Sequence, residues 1–379
     1  MLGDLKNADG TPRGNGDPSL TLFGMDVTPN QHKLAQQFVT LDNFYSEGEV
    51  SQNGWAWTTG ANSNPFNQLA THQGYGGNGA IYDSEDQIDS HVGVTDPNRA
   101  YVWNAAAAAG VTFRNYGMHG VWGPIITSKV SIPSGKVGSF DPLLNDNTDH
   151  DYPIGLSIPD VQRFEEWNRE FQQNIANDQL PTMQFIRLPN DHTSGAATAK
   201  AMVADNDLAL GKIVDTVSHS KYWNDTAIFV LEDDAQAGFD HVDAHRTIAQ
   251  VISPYTQRGI VDSHLYSQVS MLRTMELFVG MGPLTQFDAA AMPMIYSFGD
   301  KPNFNTYTAV TAPVSPSMAM EYDMNPVEPD MVDEQKLSEE LWRAIKGPNI
   351  PMPASKNHIF GGENEAEENA GSKKGKLLW

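Results

Sequence analysis

Residues Ala227 to Leu231 form an apolar, β-type run that stops abruptly at three consecutive acids, Glu232, Asp233 and Asp234. Upstream, Met202, Leu208, Leu210, Ile213, Val214 and Val217 mark Lys200 to Ser218 as an amphipathic helix. A helix feeding a buried strand that delivers carboxylates at its C-terminal end is how open α/β sheets build their sites. Three adjacent acids repel one another unless a positive group stands among them, and a divalent metal is the usual solution.

The remainder of the chain repeats this alternation. Asn30 to Phe38 reads as a short helix, Val39 to Tyr45 as a strand, and Ser46 to Asn64 as a turn with a helix starting near Ser51. Arg99 to Ala109 reads as a helix and Val111 to Tyr116 as a strand. Val161 to Asn177 places Phe164, Trp167, Phe171 and Ile175 on one helical stripe. Thr182 to Leu188 and Ile248 to Ile252 read as strands, and Tyr266 to Val279 and Asp333 to Lys346 as helices. The expected fold is a doubly wound, mostly parallel sheet flanked by helices. Residues 1–360 are expected to form one domain, with 68–98 a polar surface insertion and 361–379 a disordered charged tail.

Composition narrows the partners. A formal charge of −23 opposes binding to nucleic acid or an anionic membrane, so phosphate chemistry here needs local positive charge. The absence of cysteine excludes disulfides, thiolate metal sites and a cysteine nucleophile. No run approaches the roughly 18 apolar residues of a membrane span. The opening Met1-Leu2-Gly3-Asp4 lacks a signal peptide's basic and apolar regions.

Four segments place polar groups after a strand: Asp42 to Trp57, Asp191 to Gly195, Glu232 to His245, and Asp262 to His264. A helix beginning at Ser51 sets that hydroxyl at a helix N-terminus, where an anion is stabilised and a nucleophile is well placed. An ordinary capping serine is the alternative. Asp191 and His192 are candidates for contact with a reacting oxygen. Asp233 and Asp234 are the metal candidates, with Glu232 expected to face away because strand residues alternate sides. Acids alone suit a solvated loop, but His241 and His245, four apart and directly downstream, favour metal chemistry. Asp240, His241, Asp243 and His245, and more weakly His264, are candidates for supporting contacts or a second metal. The all-oxygen core favours Mn, Fe, Mg or Ca over a purely Zn site.

Several of these stretches together carry a resemblance: LDNFYSEGEVSQNGWAWTT, LPNDHTSG, LEDDAQAGFDHVDAHR, VISPYT, SQVSMLRTMELFVGMGPLTQFDAAAMPM and LWRAIKGPNIPMPA. In this order they resemble the bacterial phosphoesterase family of phospholipase C and respiratory-burst-inhibiting acid phosphatases, within the alkaline phosphatase superfamily. The resemblance runs from about Gly14 to Pro353. It implies an alkaline-phosphatase-like fold and metal-dependent hydrolysis of phosphoric esters, with Mn, Fe, Ca or Zn as cofactor. It makes Ser51 the nucleophile of a phosphoseryl intermediate, Asp233 and Asp234 metal ligands, and Asp191 and His192 neighbours of the transferred phosphoryl group. It also implies a family that is commonly exported.

One departure accompanies it. The family's opening strand, which ends in a metal-binding Glu-Asn pair, has no counterpart here, because Met1 to Leu5 resembles the segment just after it. The expectation is a sheet edge that another chain's strand could complete. An alternative function follows: a catalytically impaired phosphoesterase-like subunit with a binding or assembly role.

Overall fold

The computed structural model describes residues 1–48, 51–63, 101–193, 197–234, 243, 245–313, 339, 342–343 and 345–353. The expected insertion at 68–98, the tail at 361–379, Asp240 and His241 lie outside them. The fold is α/β, with helices packed on both sides of short strands. Among the described residues no helix is long and apolar enough to cross a membrane.

The layering follows from side-chain alternation. Along the strand Ile228–Leu231, Ile228 and Val230 pack against one apolar cluster, built around Phe164, Trp167, Ile213 and Val214. Phe229 and Leu231 pack against another, built around Phe44, Val251, Tyr266 and Met271. Successive Cβ atoms in a strand point to opposite faces, so an uninterrupted apolar run is buried from both sides. The same division occurs in the strand Ala249–Ile252, where Val251 and Ile252 join different clusters.

Hydrogen bonding joins the described strands as six pairs, three parallel and three antiparallel. Phe113–Tyr116 runs parallel to Met183–Ile186, Thr40–Leu41 to Val261–Asp262, and Phe44–Tyr45 to Tyr266–Ser267. Ile228–Leu231 runs antiparallel to Ala249–Ile252. Periodicity does not reveal that direction, because a strand buried on both faces reads alike in either sense. The expected strand Val39 to Tyr45 divides in two. Between the halves the Asp42 carbonyl accepts from Arg246 Nη1 instead of joining a ladder.

Two long helices cover one side. Asp160–Asn177 buries Phe164, Trp167 and Phe171, as its stripe predicts. It packs on Ala199–Ser218, whose N-terminus is capped by the Thr198 side chain accepting from Ala201 N. Burying Trp167 contributes on the order of 3 kcal/mol or more by analogy with truncations of buried aromatics. On the other side the helices Ser51–Gly60, Val102–Ala108 and Gln268–Val279 flank a cluster containing Trp103, Phe113 and Leu272. The described residues between 339 and 346 are helical, within the expected late helix.

Candidate active site

Ser51 is the first residue of the helix Ser51–Gly60, in the turn whose backbone N–H groups have no intrahelical acceptor and which carries the positive end of the helix dipole. This helix can approach the acid-bearing turn because Gly54 carries no side chain. A Cβ there would lie 1.7 Å from the Asp233 carbonyl oxygen. Contact at that range brings Ser51 to the acids, and its Oγ donates to Asp234 Oδ2 across 2.9 Å.

The turn after Leu231 is held by Gln268. Its Nε2 donates to the carbonyl oxygens of Glu232, at 3.1 Å, and Asp233. Its Oε1 accepts from the backbone of Glu47 at 3.0 Å. Asp191 and Glu232 share a side-chain hydrogen bond. Burial pushes the Asp191 carboxyl well above its ordinary range, and the Glu232 and Asp233 charges add to the shift. Glu232 is raised by burial as well, and the charges of Asp233 and Asp234 act in the same direction. The expectation that Glu232 faces away is therefore corrected. The regular strand ends at Leu231, alternation ends with it, and the carboxyl turns toward Asp191.

Asp191 and His192 lie in the single-turn helix Pro189–His192, with His192 exposed. Residues from two other helices clamp this turn. The Asp160 carboxylate accepts from Asn190 N at 2.9 Å and from Asn206 Nδ2 at 3.1 Å. Asn206 Nδ2 also donates to Leu188 O at 2.8 Å and reaches Asp191 Oδ1 at 3.5 Å. Asp160 pairs with Arg163 at 2.7 Å, both side chains fully buried, and Arg163 donates further to the carbonyls of Pro153, Gly155 and Ile158. Removing water from such a pair is costly, and those extra bonds offset the loss.

A positive group packs on the helix that carries Ser51. Arg187 Cζ lies 5.2 Å from the Trp55 ring centroid, and Trp55 follows Ser51 by four residues on the same helix face. Gln268, Asn206, Asp160 and Arg187 escape a sequence reading, because each sits inside an ordinary helix or strand pattern. Only the strand ending at Ile186 hints at Arg187.

The other candidates divide. His245 bonds Asp243 through its backbone N at 2.8 Å and through Nδ1 at 3.2 Å. Its carbonyl accepts from Ser46 N at 2.9 Å, which sets it beside the loop leading to Ser51. His264 bonds Asp262 at 2.6 Å and stacks on Tyr296 with ring centroids 4.0 Å apart. Those contacts are separate from the acids that meet Ser51.

The donor set suits a hard cation: several carboxylates and a hydroxyl, with acids raising one another's proton affinity. Among the described residues no three His, Asp or Glu side chains are grouped so as to hold a metal ion.

The family model described as Phosphoesterase family matches residues 7–281, most of the chain. Among curated proteins none matches significantly. Similar solved structures include a protein of the alkaline phosphatase superfamily from Vibrio parahaemolyticus, at 17% identity and TM-score 0.46. That match covers 70% of this chain and 64% of the other, so the chain spans less than two thirds of that protein's length. The lipoteichoic acid synthase LtaP from Listeria monocytogenes shares 10% identity at TM-score 0.45, covering 73% of this chain and 70% of that one. Human ectonucleotide pyrophosphatase/phosphodiesterase 5 shares 9% identity at TM-score 0.46, covering 74% and 97%.

Proposed function

The chain belongs to the phosphoesterase family, and on that premise we propose that it hydrolyses phosphoric esters through a covalent intermediate on Ser51. The observation that carries the proposal is the 2.9 Å hydrogen bond from Ser51 Oγ to Asp234 Oδ2 at the start of a helix. A serine is a weak nucleophile until a neighbouring base or cation draws off its proton, and Asp234 is placed to accept it.

In the first step Ser51 Oγ attacks phosphorus in line. The Oγ–P bond forms, the ester P–O bond breaks, and the serine proton passes to Asp234. The departing oxygen takes a proton from the Asp191–His192 pair. Asp191 suits that role because burial and the Glu232 charge raise its affinity for a proton. A water molecule then attacks the phosphoseryl group and returns a proton to the Asp191–His192 pair. Phosphate leaves, and Ser51 recovers its proton from Asp234. The helix N-terminus and Arg187 favour the anion that Ser51 receives.

Asp233, Asp234 and the Ser51 oxygen are the groups that would hold a divalent cation, with Mn, Fe, Ca and Zn as candidates. Bound there, the ion supplies positive charge to the serine and phosphoryl oxygens.

Hydrolysis of p-nitrophenyl phosphate and of its bis ester tests the reading, with each metal added in turn and Ser51→Ala as control. Metal-dependent turnover that disappears in the variant is expected, and the preferred ester defines the subclass. A folded protein inert with every metal overturns the reading and favours a binding or assembly role.

A further inference from the structure

We propose that Gln268 is a positioning residue that holds the Ser51-bearing loop and the Asp233–Asp234 turn in one register, a role that rests on the reading of Ser51 as nucleophile. Its carboxamide has two N–H groups and one oxygen, and all are engaged. Nε2 donates to the carbonyls of Glu232 and Asp233, while Oε1 accepts from Glu47 N, four residues before Ser51. Glu47 returns the bond, its carboxylate accepting from the backbone N–H of Gln268 at 3.0 Å and of Val269 at 3.4 Å. The side chain is 1% exposed, so no solvent competes for these bonds.

This arrangement fixes the amide in one orientation. Turning it over would set an oxygen against two carbonyl oxygens and an N–H group against an N–H group. Glu47 and Gln268 are in turn anchored by the parallel pairing of Phe44–Tyr45 with Tyr266–Ser267, which ends two residues before Glu47 and directly before Gln268. One buried amide thus spans the two segments whose side chains meet at Ser51 and Asp234.

Two variants test the role. Gln268→Ala removes every side-chain bond. Gln268→Glu keeps the shape but faces two carbonyl oxygens with a carboxylate. Both are expected to lower kcat about 10- to 100-fold while KM stays within about threefold. Hydrogen–deuterium exchange, which needs no activity, should quicken in peptides covering 40–48 and 228–234 and stay unchanged across 160–177. Unchanged kcat in folded variants, or exchange that quickens equally everywhere, overturns the proposal. If the wild-type chain turns over no ester, the nucleophile reading fails. The exchange pattern then still decides whether Gln268 couples the two segments.

Discussion

Gly54 stands so close to Asp233 that a methyl group in place of its hydrogen would lie 1.7 Å from the Asp233 carbonyl oxygen. The obstacle is backbone on both sides, so no flexible side chain can yield. Gly54→Ala should therefore push the helix Ser51–Gly60 off the acid turn and lengthen the Ser51–Asp234 contact. The expected cost is about 1–3 kcal/mol of stability, as for overpacked cores, with turnover falling further than stability explains. Thermal melting and kcat measured on the same samples check this. A variant with normal turnover refutes the close-approach argument.

Asp234→Asn preserves an oxygen that can accept from Ser51 but removes the negative charge. Loss of the base should reduce kcat by about 100-fold or more, with little change in melting temperature. Asp234→Ala should be no less impaired. Steady-state kinetics beside circular dichroism separates this from misfolding.

Asp160→Asn tests the buried clamp beneath Pro189–His192. The substitution leaves Arg163 without its carboxylate, although three carbonyl acceptors remain. Breaking a buried pair in this way costs about 3–5 kcal/mol, and the retained acceptors place the expectation at the lower end. Urea unfolding of both proteins measures it, and a change within error of zero contradicts the clamp.

Glu276 makes stability depend on pH far from the site. Burial and the neighbouring Asp288 carboxylate push its pKa up to about 8, against the pull of Arg273. Asp288 is also buried, but the Glu276 hydrogen bond and the N–H groups of Leu284 and Thr285 outweigh burial and hold it low. An acid whose folded pKa is raised binds its proton better folded than unfolded. Its contribution is complete below the ordinary carboxylate range and is lost as pH rises through about 8. Glu276→Gln keeps a donor toward Asp288 and should flatten the decline in melting temperature between pH 5 and 8 by roughly 1–3 kcal/mol equivalent. An unchanged pH profile excludes Glu276 as its source.

Much of the layering was legible before any coordinates. The stripe Phe164, Trp167, Phe171 and the apolar run at Ile228–Leu231 are periodic signals, and a buried face must be apolar wherever the chain goes. Ser51, Asp191 and Asp234 are candidates by their places after strands and by the family resemblance, whereas the bond from Ser51 to Asp234 and the coupling of Asp191 to Glu232 are contacts that packing creates. Strand direction at Ala249–Ile252 and the orientation of Glu232 were not legible either. The first is invisible to periodicity, and the second depends on where a strand ends.

By itself the sequence determined where the long helices and the four-residue strands lie and which polar residues follow them, because those choices follow from local spacing. The two-residue strands between Val121 and Gly138 carry no such periodic signal. The tertiary structure alone decided how close the segments come. Gly54 against Asp233, Gln268 between Glu47 and the acid turn, and Asn206 beneath Asp191 are each contacts between residues far apart in the chain. Such contacts depend on how whole elements pack, and no local pattern of side chains encodes a distance between them.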